Sequence, residues 1–223
     1  MTLKYATVAE LKTAIGKTSA DDDTLLTDML SAAEDTINNF CNRKDGFLAI
    51  STATARTYYG RGKPYQRTDE NVSVTKVEVK DSQSDTTYVE WATSDWIAFS
   101  GNPKYPDFNK LPYTGLLVDP NGDYVDFTSG RYRALRGFRP DTEPSYQVPT
   151  VRITAKWGYS VAVPARVHMA TIAQASRWWK RSKGAWQDAH QSAEFGTMMY
   201  TKVLDPDIRM MLVEARLVRP MTG

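Results

Sequence analysis

An α+β fold is predicted for this chain: a helical bundle from the N- and C-terminal segments, with a small β-rich subdomain inserted between them. Three observations predict it. Apolar side chains recur at helical spacing before residue 50 and again after residue 158. Over residues 51–157 the period falls to two, which is strand chemistry. Prolines then crowd the loops of that middle stretch, at 102–106, 111–112 and 139–144, and such prolines are excluded from central strands. These loops are expected to project outward. The organisation that follows is residues 1–50 as N-terminal helices of the bundle and 51–157 as the insertion. Residues 158–223 then supply a long helix, an interface loop and a C-terminal helix. A chain of 223 residues can bury one substantial core, or a core with a satellite.

The first helix is predicted over 8–15. Thr7 can accept an N–H from its open first turn, and Gly16 can end it. A second start is read at Ser19, followed three residues later by Asp22 in the manner of a capping box. Asp21, Asp22 and Asp23 then lie where the helix dipole favours negative charge. Leu25, Leu26, Met29, Leu30, Ala33, Ile37, Phe40 and Cys41 trace one stripe, read as the core face of this helix. Strand chemistry begins at 53–59, and Gly60 and Gly62 turn the chain after it. Val72, Val74, Val77 and Val79 mark a second strand, and 88–91, 96–99, 116–118 and 124–127 are further candidates. The Asn121-Gly122 pair predicts a hairpin between the last two.

Val151, Ile153, Ala155 and Trp157 alternate along the next strand. Gly158 breaks it. Pro164 can begin a helix, because the first turn leaves the missing donor unpaired anyway. The helix that follows is small or apolar nearly all round, through Ala165, Val167, Met169, Ala170, Ile172, Ala173, Ala175 and Trp178, so protein is expected on several of its sides. Neighbouring subunits are a natural source of that covering. Val167, Ile172, Trp178 and Trp179 are the predicted contacts. Residues 184–204 lack a clear period and include Met198 and Met199, which are added to the predicted interface. This loop is expected to be mobile in a free subunit and ordered in an assembly. Asp205 as cap and Pro206 at the first position open a last helix, expected to reach Val218 with Ile208, Met211, Leu212, Ala215 and Val218 as its stripe.

A hydrophobic content of 41% with 24% charged residues is ordinary for a globular protein, and a net charge of +2 gives no global signal for a polyanion. Charge is unevenly placed, acidic near the N-terminus and basic in the C-terminal helices, which suits head-to-side packing in an assembly. The single cysteine, Cys41, excludes an intrachain disulfide and is read as a small core residue. Residues 1–15 lack the apolar run of a secretion signal, and no stretch approaches transmembrane length.

Chemical motifs are few. His168 and His190 are far apart and have no partner at metal-ligand spacing, so they are read as packed or surface residues. The 119–123 segment places its glycine too early for an EF-hand loop and lacks the bidentate glutamate. Arg61-Gly62-Lys63 lacks the glycine spacing of a phosphate loop. No catalytic residue, cofactor or metal is predicted. Two basic and aromatic clusters remain, Trp178 to Lys183 and Arg131 to Arg139. An interface with solvated cations is preferred for them, with Lys180, Arg181 and Lys183 as predicted non-specific contacts to DNA.

Four segments in this order resemble the head–tail connector (adaptor, head-completion) proteins of long-tailed bacteriophages. They are TVAELKTAIG with TSADDDTLLTDMLSAAEDTINNFCNR, TARTYYGRG, VRITAKWGY with VPARVHMA, and LDPDIRMMLVEARLVRP. Together they cover roughly half the chain, and their order and spacing carry the resemblance. The β-rich middle departs from the shorter, nearly all-helical members. The resemblance implies a structural, non-enzymatic subunit of the virion neck. Copies of the chain, about twelve, would form a ring under the portal protein, extend the DNA channel, and present a surface to the next neck or tail-completion protein. It further implies that the basic C-terminal segment, with Arg209, Arg216 and Arg219, reaches the portal. No membrane is involved, and synthesis in the bacterial host cytoplasm is implied. The alternatives are another tail-completion or stopper protein, or a nucleic-acid-processing enzyme.

Overall fold

The computed structural model describes residues 4–130, 147–183 and 204–219, together with the backbone of 189–192 and 196–199. The second basic cluster and the 139–144 loop lie outside the described residues. The chain divides into two compact units: residues 1–48 with 162–223, and residues 49–161. Helices and strands segregate between them, which gives the α+β fold expected.

In the helical unit, α1 spans Val8–Ile15 and opens on a full capping box. The Thr7 hydroxyl accepts the Glu10 N–H at 3.2 Å, and the Glu10 carboxylate accepts the Thr7 N–H at 2.8 Å. Helix α2 spans Asp23–Phe40. Its expected start at Ser19 is corrected: residues 20–23 form a turn closed by the Asp23 N–H on the Ala20 carbonyl, at 3.1 Å. Asp22 is the cap residue, but its carboxylate makes no cap bond because it pairs with Lys17 instead.

One device ends three helices. A left-handed residue lies just past the helix, and the N–H after it reaches back to the carbonyl five residues earlier. Gly16 does this after α1, Asn42 after α2, and Arg216 after α4 (Pro206–Glu214), with φ of 69°, 54° and 54°. The returning bonds are Lys17 to Lys12 at 2.9 Å, Arg43 to Asn38 at 2.9 Å, and Leu217 to Leu212 at 3.1 Å. Glycine takes this conformation freely, whereas for Arg216 it costs about 1–2 kcal/mol. Leu217 offsets that cost by burying itself, as does Leu212. The last helix therefore stops at Glu214 rather than Val218, and Leu217, not Val218, completes its apolar side.

Leu26, Met29, Leu30 and Ala33 of α2 pack with Ala6 and Leu11 and with Ala175 and Trp179 of α3, which spans Ala165–Lys183. Ile37 and Cys41 are fully buried, while Leu25 falls off the stripe and is exposed. Helix α3 touches α1, α2 and α4. Much of the protein expected around it is thus the chain's own. In residues 184–204, read as unpatterned, the backbone instead forms a hairpin of β8 (Ala189–Ser192) and β9 (Gly196–Met199).

The β unit holds seven strands among the described residues, all paired antiparallel: β1 (Thr54–Tyr58), β2 (Tyr65–Val79), β3 (Val89–Glu90), β4 (Trp96–Asn102), β5 (Tyr105–Asp107), β6 (Tyr113–Val118) and β7 (Val151–Trp157). Their order is β1-β7-β2-β6-β4-β5, with β3 on β2. Strand β2 is long enough to change partners. Its first residues pair with β6, and from Asn71 onward it pairs with β7 through two register shifts. The alternation read in β7 is the core itself: Val151, Ile153, Ala155 and Trp157 are buried with Val77, Val79 and Leu116.

Two expectations are corrected here. Residues 124–127 do not pair with β6. Asp119 closes its own turn by accepting the Asn121 N–H at 2.8 Å, and Asp95 draws in the Asp123 N–H at 3.2 Å. Tyr124 and Phe127 are then spent stacking on Trp91, at centroid distances of 4.1 and 5.1 Å. The 102–106 loop is not free of strand either. Pro106 sits in β5 at the sheet edge, where a missing N–H interrupts no ladder.

Candidate assembly surfaces

The helical unit carries apolar side chains that its own packing leaves over. On α3 these are Met169, 56% exposed, with Ile172 and Trp178 half-buried beside the core. On α4 they are Met210 and Val213, both more than half exposed. Two predicted interface residues are used internally: Val167 is fully buried and Trp179 nearly so. Trp179 packs with Ala6, Leu11 of α1 and the buried stripe of α2, which fill space expected of another subunit. Met198 and Met199 lie on β9, which is described by backbone alone.

The predicted DNA contacts separate. Lys180 is exposed. The Lys183 ammonium lies 4.1 Å from the centre of the Trp179 ring and 3.7 Å from the Asp22 carboxylate, so it also serves the fold. Arg181 is half-buried.

The predicted portal contacts gather around the C-terminal end of α2. The Arg209 guanidinium lies 5.4 Å from the Phe40 ring centre. The Arg219 N–H donates to the Cys41 carbonyl at 3.0 Å, and Arg216 holds the left-handed turn between them. Sequence reasoning missed Arg43. This buried residue donates its Nε–H to the Leu217 carbonyl at 3.1 Å and so ties the segment after α4 to the end of α2. A contact across 174 positions leaves no local pattern to read.

His168 and Cys41 are both held by neighbours within the helical unit, and the side chain of His190 lies outside the described residues. His168 Nε2 lies 3.1 Å from the Glu10 carboxylate and joins α3 to α1. The Thr7 N–H and hydroxyl, with His168, hold the Glu10 carboxyl below its ordinary value. Burial pushes the Cys41 thiol up to about 11, which makes it a poor nucleophile. Tyr5 is held inside, its hydroxyl donating to Asn38 Oδ1 and accepting the Phe47 N–H, each at 2.6 Å. Among the described residues, no group of three or more His, Cys, Asp or Glu side chains is placed to hold a metal ion. No helix there is long and apolar enough to cross a membrane.

The β unit offers two features of its own. Strand β5 presents Tyr105, 73% exposed, and the segment after it presents the exposed Phe108 and Leu111. At the end of β1, a cavity of about 240 Å³ is lined by Tyr58, Tyr59, Arg61, Tyr65, Gln66 and Arg67. Behind its wall, Arg56 pairs with Asp69 at 2.8 Å, and the Tyr58 hydroxyl donates to the same carboxylate at 3.2 Å. Burial and the Asp69 charge raise the Tyr58 phenol well above its usual range.

Among the described residues, the exposed apolar side chains are what stand out. Residues 5–87 match the phage gp6-like head-tail connector family. The match runs through α1, α2, β1 and β2, so it includes the capping box, the α2 core stripe and the first two strands. The resemblance drawn from the sequence is therefore met over this stretch. A chain in a solved structure described as "Neck of empty GTA particle computed with C6 symmetry" shares the fold. It is 16% identical, with a TM-score of 0.51, over 97% of this chain and 91% of that one. The fold likeness thus spans both units, including the β-rich middle beyond the connector match. No curated protein sequence matches the chain.

Proposed function

We propose that this protein is a structural subunit of a phage neck and has no catalytic role. About twelve copies form an adaptor ring beneath the portal protein, lengthening the DNA channel and offering a docking surface to the next neck or tail protein. The observation that carries the reading is the connector match over 5–87, joined to a fold shared along the chain with a protein from a sixfold-symmetric neck. Twelve copies are compatible with such symmetry.

A ring needs two different patches that meet around the circle. Met169, Ile172 and Trp178 form one candidate patch, with Met198 and Met199 in the neighbouring hairpin segment. Arg209, Arg216 and Arg219, with the exposed Met210 and Val213, form the portal side. Lys180 is the remaining free candidate for sliding contact with packaged DNA.

Deleting the C-terminal helix would be a poor test, since Ile208, Leu212 and Leu217 are core residues. The double substitution Met210→Asp with Val213→Asp alters only exposed positions. Particles carrying it should package DNA but lose it or fail to join tails, with the purified subunit folded as before. Normal tail joining by that variant would remove α4 from the portal interface.

A further inference from the structure

Strand β2 has an unpaired edge at its start. Tyr65, Gln66 and Arg67 lie opposite Leu117, Leu116 and Gly115 of β6, whereas β7 joins the other side only from Asn71. The Val118 N–H donates to the Pro64 carbonyl at 2.9 Å, which sets the phase of the ladder. Backbone groups alternate sides along a strand, so those of Pro64 and Gln66 point to β6, and those of Lys63, Tyr65 and Arg67 point away from it. Lys63 follows this phase, since its carbonyl accepts the Phe127 N–H at 3.0 Å. Farther along, the Asp69 N–H donates to the Tyr58 hydroxyl at 3.3 Å, and the Glu70 carbonyl accepts the Gly158 N–H at 2.8 Å. Between these two closed ends, the Arg67 carbonyl accepts the Gln66 Nε2–H at 2.8 Å. The Tyr65 N–H, the Tyr65 carbonyl and the Arg67 N–H have no partner among the described residues. The cavity at the end of β1 lies along this row. Tyr65, Gln66 and Arg67 all line it, and successive side chains of a strand point to opposite faces, so the cavity runs along the backbone edge.

Donor, acceptor, donor is the pattern that an extended peptide matches. One incoming residue exchanges two bonds with Tyr65, and a carbonyl two residues away accepts the Arg67 N–H. We infer that this edge takes an extended segment of a partner protein as an added strand, held through its backbone over about three residues. The size fits: the row from Tyr65 to Arg67 spans about 7 Å. The cavity of about 240 Å³ is below the usual range for small-molecule sites, roughly 300–1,000 Å³. A nucleic-acid backbone fits less well, because phosphate brings no donor here and its charge would face the Tyr65 carbonyl. The edge strand β5 of a second copy fits less well too. A two-residue turn joins Asn102 to Tyr105, so the outward position in β5 is Pro106, which has a carbonyl and no N–H. The inference does not depend on the neck assignment, since it uses the β unit alone.

The test combines amide hydrogen exchange with an NMR titration of the full-length protein. In the free protein the Tyr65 and Arg67 amides should exchange at least tenfold faster than the Gln66 amide, which alone of the three lies in the β6 ladder. The blocked peptide acetyl-Thr-Val-Thr-Val-Thr-amide should shift the Tyr65 and Arg67 amides saturably and slow their exchange. The same peptide N-methylated at its three central residues cannot donate to the Tyr65 carbonyl and should bind at least tenfold more weakly. Tyr65→Pro removes an outward N–H and no ladder bond, so it should weaken peptide binding as much while leaving the rest of the spectrum in place. Single-stranded oligothymidylate serves as the last probe. The inference is overturned by equal exchange of the three amides, by no saturable shift with the peptide, or by equal binding of its methylated form. Tighter binding of oligothymidylate at these amides would also overturn it. So would protection of Tyr65 and Arg67 that rises with protein concentration alone, which would give the edge to a second copy.

Discussion

Tyr5→Phe removes one oxygen atom from the centre of the helical unit and nothing else. The hydroxyl joins two parts of the chain: it donates to Asn38 near the end of α2 and accepts the N–H of Phe47 in the segment beyond. Tyr5 is 2% exposed, so no water replaces the lost atom at low cost. The Phe47 ring is fully buried and packs edge-on to the Tyr5 ring at 6.1 Å, a contact the phenylalanine keeps. The change therefore isolates the polar contribution. A buried group left without its partner costs about 1–3 kcal/mol, and here the Phe47 N–H is that group, while half-buried Asn38 can turn toward water. A loss of about 2 kcal/mol is expected. Urea unfolding followed by circular dichroism at the helical band measures it. A double-mutant cycle with Asn38→Ala should give a coupling of about 1 kcal/mol. A Tyr5→Phe change below about 0.5 kcal/mol would refute the claim that this hydroxyl fastens the segment after α2 to the helices.

Gly60→Ala should destabilise the β unit severely, because a Cβ there would lie 1.9 Å from the Thr128 carbonyl oxygen. Gly101→Ala meets no atom within 4 Å and should cost only its backbone strain, about 1–2 kcal/mol; thermal unfolding of the pair checks both. Glu78 is buried against Arg152 at 2.5 Å and Lys76 at 3.1 Å, and the Arg152 bond holds its carboxyl below the ordinary 4.5. Its folded value is depressed, so its contribution is complete above about pH 4.5 and is lost as the pH falls through the folded value. Glu78→Gln should accordingly flatten the acid limb of a stability–pH curve. The Cys41 thiol should resist an aromatic disulfide reagent at pH 8 in the native protein and react fully in urea.

The sequence was most legible where one local rule decides the outcome. Thr7, Gly16, Asp205 and Pro206 set helix ends through hydrogen bonds within a few residues, and the alternation in 151–157 reads directly as the buried face of β7. It was least legible where a distant partner intervened. Asp22 carries cap chemistry but is claimed by Lys17, and Asn121-Gly122 turns the chain into a segment whose rings are captured by Trp91. Arg216 ends α4 early because Leu217 finds a buried place that no helical wheel shows. The candidate surfaces followed the same division. An apolar helix such as α3 was visible, but which of its faces the chain itself would cover was not, so Val167 and Trp179 were misread as outward. The cavity at the end of β1 had no signal at all, because its walls come from residues on both sides of a turn.

The central claim is assembly, and the mass and symmetry of the complex formed with the portal protein test it most directly. Full-length protein mixed with purified portal, measured by multi-angle light scattering and imaged by cryo-electron microscopy, should yield a closed ring of about twelve copies coaxial with the portal. A single bound copy, a two-fold dimer, or no complex with the portal would contradict the account.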